Sequence, residues 1–82
     1  MKTRIQVLED DHDSALSQLI ENEINLTVLT RKSLVIKPGA EYDKLNATIM
    51  QKKHNISVVS EVLQIIEEML KKEKEKLEIV EI

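Results

Sequence analysis

Residues 57–70, with the sequence SVVSEVLQIIEEML, carry the strongest helical pattern of the chain. Their apolar residues recur at spacings of three and four, which is typical of one face of an α-helix. Ser57 suits the N-cap, and Glu61 complements the helix dipole in the first turn. The apolar face is broad and comprises Val59, Val62, Leu63, Ile66, Met69 and Leu70, flanked by Ile56, Val58 and Ile65. Because one packing neighbour would not cover it, this helix is predicted to contribute to a dimer core.

A second helix is predicted over residues of about 40–53. Pro38 and Gly39 end the preceding segment and suit a helix entry. One face of this helix is marked by Tyr42, Leu45 and Ile49. The dipeptide at residues 54–55 is predicted to break the helix, so that the strong helix begins separately.

The segments before Pro38 are predicted to contain β-structure. Residues 3–8 alternate well enough for a strand, and residues 12–24 then follow a helical pattern. Residues 24–37 fit either a hairpin or a helix end followed by one strand, and the pattern leaves both open. Residues 77–82 are compatible with a short terminal strand, and whether it pairs with the first strand also stays open. The predicted fold class is α+β, with short strands and two to three helices.

Composition predicts a small core. Of 82 residues, 41% are hydrophobic, and Tyr42 is the single aromatic residue. A chain of this size buries only about 60% of the surface that its unfolded form exposes. Small aliphatic domains often complete their core by pairing, so we expect one domain that forms a homodimer.

The chain lacks the residues that several classes of functional site require. The chain has no cysteine and a single glycine, which excludes disulfide frameworks, thiolate metal sites and glycine-rich phosphate loops. His12 and His54 have no partner at metal-ligand spacing, and Ser57 and Ser60 have no nearby base. The acidic run formed by Glu9, Asp10, Asp11 and Asp13 could hold a cation, but helix capping and solubility explain it better. We therefore expect no enzyme, no metal and no cofactor.

The N-terminal sequence shows no signal-peptide pattern, and no apolar run approaches the roughly 20 residues that a membrane span needs. The absence of cysteine fits a reducing compartment. A cytoplasmic protein without a membrane partner is therefore expected.

Charge is unevenly distributed along the chain. Residues 1–30 carry two basic and six acidic side chains, a net charge of −4. Residues 31–54, here called the basic island, carry six basic and two acidic side chains, a net charge of +4. Residues 55–82 carry four basic and seven acidic side chains, a net charge of −3. A basic island is the usual electrostatic footprint of nucleic-acid binding.

Residues of about 33–73 resemble the ribbon-helix-helix family of phage, plasmid and antitoxin repressors. The resemblance rests on a β-prone run that ends at Lys37 and Pro38, on Tyr42 and Leu45 in the first helix, and on the SVVSEVL start of the second. It divides the domain into an acidic strand-helix segment (1–30), a ribbon-helix-helix-like segment (31–75) and a possible terminal strand (76–82).

The resemblance implies a dimeric DNA-binding regulator whose paired strands enter the major groove. The implied ribbon contacts come from Arg31, Lys32, Ser33, Val35 and Lys37. The implied phosphate contacts come from Lys52, Lys53 and the backbone N–H groups of Ser57 and Val58. The implied dimer core comprises Leu45, Ile49, Val59, Val62, Leu63, Ile66 and Leu70.

A second hypothesis assigns the chain a different partner. A small protein-binding module or inhibitor would contact a protein through the acidic N-terminal segment and pack its amphipathic C-terminal helix into a dimer or a target groove. Under this hypothesis the basic island is dispensable, whereas double-stranded DNA is the partner under the first.

Overall fold

The computed structural model describes residues 1–81, with side chains through Leu77, and these residues form a helical hairpin. Helix α1 spans Arg4–Ser33 and α2 spans Ala40–Glu81. The helices run antiparallel, since Arg4 contacts Glu73 while His12 contacts Glu67. The rod that results measures 65 × 19 × 16 Å. Its radius of gyration of 18.7 Å exceeds the roughly 12 Å of a compact chain of this length.

The two helices meet along one continuous contact line, here called the seam. Every buried or half-buried residue of α1 lies on it, and the spacing alternates strictly between three and four: Ile5, Leu8, His12, Ala15, Leu19, Asn22, Leu26, Leu29 and Ser33. Helix α2 contributes a matching row of Tyr42, Leu45, Ile49, Lys52, Ile56, Val59, Leu63, Ile66, Leu70 and Glu73. This seven-residue period is that of a coiled-coil contact.

The core is thin because each helix has only one neighbour. Its buried centre consists of Leu8, Ala15, Leu63 and Ile66, each still 7–8% exposed. Leu19, Val59, Met69 and Leu70 pack against that centre. Among the described residues, no side chain is more than 98% buried. Burial in this hairpin is therefore limited to a single row of contacts.

Local signals define where each helix begins and ends. Thr3 is the N-cap of α1: its Oγ1 accepts the N–H of Gln6 at 3.2 Å, and Gln6 Oε1 accepts the N–H of Thr3 at 2.9 Å. This reciprocal pair is a capping box. At the turn, Gly39 adopts a φ of 156°, which favours glycine, and its carbonyl accepts the N–H of Asp43 at 3.0 Å. The turn thus reverses the chain directly before α2.

The predicted α+β class is wrong, because the described residues contain no strand. Residues 3–8 form the cap and first turns of α1, and residues 24–33 continue that helix. The predicted helix over 12–24 is only the middle of α1. The hairpin or single strand expected over 24–37 does not form, because Leu26, Leu29 and Ser33 lie on the seam. Propensity differences of a few tenths of a kcal/mol per residue do not outweigh such packing.

Two predicted boundaries within α2 are also wrong. Residues 54–55 lie inside the helix, since α2 runs unbroken from Ala40. An Asn in a helix interior is less favourable than an Ala by well under 1 kcal/mol. Asn55 therefore does not end α2, which packs against α1 both before and after this residue. The terminal strand predicted over 76–82 is helical through Glu81, and Ile82 lies outside the described residues.

Candidate protein interaction surface

A second apolar row follows α2 beside the seam, and its residues are here called the outer stripe. Val58, Val62 and Ile65 are 45%, 42% and 48% exposed, and Met69 is half-buried at the edge of the core. Their spacings of four, three and four repeat the seam pattern on an adjacent face of the helix. Singly exposed apolar residues are common on proteins, but a row at helix-packing spacing is typical of a contact surface.

Helix α1 leaves the outer stripe accessible because it places short polar side chains beside it. A groove of about 340 Å³ runs between the helices and is lined by Asp11, Ser14, Ala15, Gln18, Val58, Val59, Val62 and Ile66. Its floor is the apolar edge of the seam, and its α1 wall is polar. The groove can therefore receive apolar side chains from a further helix while its rim stays hydrated.

The groove continues into a polar section toward the turn. A neighbouring groove of about 460 Å³ is lined by Gln18, Asn22, Gln51, His54, Asn55, Val58 and Val59. Gln51 Nε2 donates to Asn55 Oδ1 at 3.1 Å, which orders the two amides on the surface of α2. Polar side chains therefore bound the outer stripe on its turn-proximal side and limit its apolar contact to residues 58–69.

The ionisable groups form surface pairs rather than a reactive cluster. The carboxylate of Asp10 accepts a hydrogen bond from Lys2 and raises the pKa of that ammonium group. His12 Nε2 lies 3.1 Å from Glu67 Oε1. Among the described residues, no polar side chain is buried and no three His, Asp or Glu side chains could together hold a metal ion. The Lys2–Asp10 and His12–Glu67 pairs lie on the surface of the rod, and in each pair at least one side chain is more than half exposed.

Folding back the chain separates charge along the rod. The turn end, defined as residues 24–54, contains all the charged residues of the basic island and carries a net charge of +4. The open end, defined as residues 1–23 and 55–77, carries six basic and eleven acidic side chains, a net charge of −5. The molecule is therefore electrostatically polar along its 65 Å axis.

The residues assigned to DNA contacts lie along the turn end rather than on a ribbon. Arg31, Lys32 and Ser33 occupy the last turn of α1, while Val35 and Lys37 belong to the connecting segment. Lys52, Lys53, Ser57 and Val58 all lie within α2. Inside a helix each backbone N–H is bonded to the carbonyl four residues earlier. The phosphate contact expected at a helix N-terminus beside Ser57 therefore has no counterpart.

The residues assigned to a dimer core divide between two surfaces. Six of them lie on the seam and contact α1 of the same chain: Leu45, Ile49, Val59, Leu63, Ile66 and Leu70. Val62 is the member on the outer stripe. The breadth of the apolar face was visible in the sequence, but the position of α1 against one half of it was not. The signal for α1 was the strict spacing from Ile5 to Ser33, which polar residues at His12 and Asn22 interrupt.

Comparison of the chain with protein-family models, with curated proteins and with solved structures gives no match. Neither helix, over its described residues, combines the length and apolar character required to cross a membrane.

Proposed function

We propose that this chain is a protein-interaction module that acts by packing helices, without catalysis. The observation that carries the proposal is the outer stripe, three of whose four residues are more than 40% exposed at regular helix-packing spacing. Covering such a row with a partner is favourable by about 25 cal/mol for each Å² of apolar surface that is removed from water. Amphipathic helices bind partner helices through rows of this kind.

The overall shape also supports a binding role. The accessible surface is 6623 Å², whereas a compact monomer of this mass has roughly 5,000 Å². The difference of about 1,500 Å² on this one chain is about twice the roughly 800 Å² that a standard interface buries on each partner. A single row of core contacts gives the hairpin little stability of its own, so a partner would also stabilise the fold.

The experiment is photo-crosslinking in the cells that make the protein. A benzophenone amino acid replaces Val62 on the outer stripe, or Gln64 on the opposite side of α2. We expect covalent adducts from position 62 and few from position 64, with circular dichroism verifying that both variants stay helical. Adducts from neither position, or equal adducts from both, would contradict the proposal.

DNA binding is the second candidate function, favoured by the concentration of six basic side chains at the turn end. The predicted base contacts required a ribbon, which the described residues do not form, so the basic side chains support phosphate contacts alone. A labelled duplex titrated at low and then rising salt tests it. Binding that weakens steeply with salt would favour this function, and no binding at low salt would exclude it.

A further inference from the structure

We infer that the turn of the hairpin binds the surface of a membrane that contains anionic lipids, with Leu34 and Val35 inserted among the lipid headgroups. These two residues are here called the apolar tip. The apolar tip is separate from the outer stripe, so this inference goes beyond the proposed function. A surface contact requires no spanning segment, and the absence of such a segment was the reason for expecting no membrane partner.

The apolar tip is open to solvent. Leu34 is 80% exposed and Val35 is 85% exposed, and apart from Met1 no large apolar side chain of the described residues is more exposed. Both lie at the end of the rod, directly after the last turn of α1. Val35 also borders a hollow of about 580 Å³, whose other apolar lining residues are Ile36 and Leu45. Apolar surface this exposed is unfavourable in water and is typical of a contact site.

Basic side chains flank the apolar tip. Arg31 and Lys32 are exposed in the last turn of α1. Lys37 is exposed in the connecting segment, and Lys44, in the second turn of α2, lines the same hollow as Lys32. At 1.5 Å per helical residue, Arg31 lies about 5 Å behind Leu34. The cations would therefore lie at the level of the headgroups when the apolar tip reaches the acyl boundary.

Two carboxylates near the same level reduce this positive charge. Glu41 and Asp43 are exposed in the first turn of α2. The partial positive charge at a helix N-terminus offsets part of their negative charge. Residues 31–45 carry four basic and two acidic side chains, a net charge of +2. The turn therefore attracts an anionic surface, although the whole chain is acidic.

The charge separation along the rod orients it on such a surface. The open end carries a net charge of −5 through residue 77, but its charged residue nearest to the tip in α1, Glu23, is eleven residues from Leu34. That separation is about 16 Å along the helix, or roughly two screening lengths at physiological salt. The open end therefore does little to oppose contact by the turn, whereas its own approach to the membrane would be repelled.

The apolar tip distinguishes a membrane from duplex DNA, the other anionic partner considered. Phosphate contacts would use the basic side chains but would leave Leu34 and Val35 exposed. A membrane surface contacts both kinds of side chain, because its anionic headgroups attract the cations and its acyl region takes up apolar groups. The observed combination therefore favours lipid.

Sedimentation with lipid vesicles tests this inference. The full chain is mixed with vesicles of phosphatidylcholine alone or with about 30% phosphatidylserine. We expect binding to the anionic vesicles only, and weaker binding as salt rises. Leu34→Ser combined with Val35→Ser should weaken it by about 10-fold or more, because two apolar side chains no longer leave water. Ile20→Ser combined with Ile24→Ser is the matched control, since these side chains are 49% and 59% exposed but lie within α1, away from the tip.

A second pair of variants tests the charge. Lys32→Gln combined with Lys44→Gln should weaken binding by about 10-fold, since each cation near an anionic surface contributes to the attraction. Lys71→Gln combined with Lys74→Gln removes the same charge at exposed positions of the open end and should have little effect. Circular dichroism verifies that all variants stay helical. No sedimentation with anionic vesicles, or equal losses in the tip and control variants, would overturn the inference. So would a chain that binds duplex DNA but not vesicles.

The absence of cysteine allows insertion itself to be measured. A polarity-sensitive fluorophore on the Leu34→Cys protein should shift its emission to shorter wavelength with anionic vesicles, whereas one on the Ser60→Cys protein should not. Equal spectral changes at both positions, or none at either, would overturn insertion of the apolar tip. Adducts from position 62 in cells together with no vesicle binding would overturn this inference alone, and the reverse result would overturn the proposed function alone.

Discussion

Arg4 Nε lies 2.8 Å from Glu73 Oε1, and this ion pair joins the first turn of α1 to the seam row of α2. The Glu73 side chain is only 18% exposed, whereas that of Arg4 is 66% exposed. Lys76 Nζ lies 3.4 Å from the same carboxylate oxygen. A carboxylate occupies a seam position here because two cations reach it from the rim of the open end.

Neutralising this carboxylate should loosen the open end. Glu73→Gln keeps the shape of the side chain and removes its charge, so we expect a loss of about 0.5–1 kcal/mol in the free energy of unfolding at low salt. The loss should shrink as salt screens the pair. Urea denaturation followed by circular dichroism measures it. Glu75→Gln, at an exposed position, is the control, and an equal loss in both variants would count against a specific role for the pair.

Truncating the core should have a far larger effect. Leu63 is 7% exposed at the centre of the buried cluster, so Leu63→Ala should cost about 2–4 kcal/mol, which is enough to unfold much of a small hairpin. Leu34→Ala is the matched control because Leu34 is 80% exposed in the turn. Thermal melts of both variants at equal concentration compare them. A Leu63→Ala protein that melts with the wild type would refute the assignment of the seam.

Removing a polar residue from the seam should stabilise the hairpin. The half-buried Asn22 satisfies its Nδ2 by donating to the carbonyl of Gln18 at 2.8 Å, within its own helix and not across the seam. Asn22→Leu should therefore add about 1 kcal/mol of stability through apolar burial. Asn25→Leu, on the exposed face of α1, is the comparison and should add little. Urea midpoints measure both, and a destabilised Asn22→Leu protein would indicate a cross-helix role for the amide.

The turn depends on one backbone conformation. Gly39 has a φ of 156°, and a side chain added there would meet nothing within 4 Å, so the cost of Gly39→Ala is conformational alone. We expect a loss of about 1–2 kcal/mol. Lys37→Ala, in the same connecting segment, should change stability by less than about 0.5 kcal/mol. Comparable stability of the Gly39→Ala and wild-type proteins would show that the turn can adopt another conformation.

The sequence allowed part of this architecture to be predicted. The strong helix over residues 57–70 and the breadth of its apolar face follow directly from spacing, and the helix entry after Pro38 and Gly39 follows from backbone chemistry. The sequence also indicated that this face is broader than one neighbouring helix can cover. In the structure, α1 covers the half that includes Leu63, while the half that includes Val62 stays exposed.

The full extent of the first helix was missed for physical reasons, since the sequence predicted a helix only over residues 12–24 of α1. Thr27, Val28 and Thr30 are β-prone, and local alternation around them imitates a strand. Meanwhile His12, Asn22 and Ser33 occupy seam positions and obscure the helical period. A single row of contacts tolerates polar residues that a deep core would exclude, because the polar atoms of these half-buried side chains can reach solvent at the edge of the seam. The candidate surface could not be located until the register of α1 on α2 was known.

The antiparallel hairpin also determines how the molecule would respond to tension. Because Lys2 and Leu77 lie at the same end of a 65 Å rod, a force applied between these positions would open the seam one layer at a time, starting at Arg4 and Glu73. Each step would break only a few contacts, so the hairpin would unzip at low force. Pulling between the turn and the open end would instead load the backbone hydrogen bonds along a helix, because each helix connects these two points directly. The rod is therefore easy to open from its open end and harder to stretch along its length.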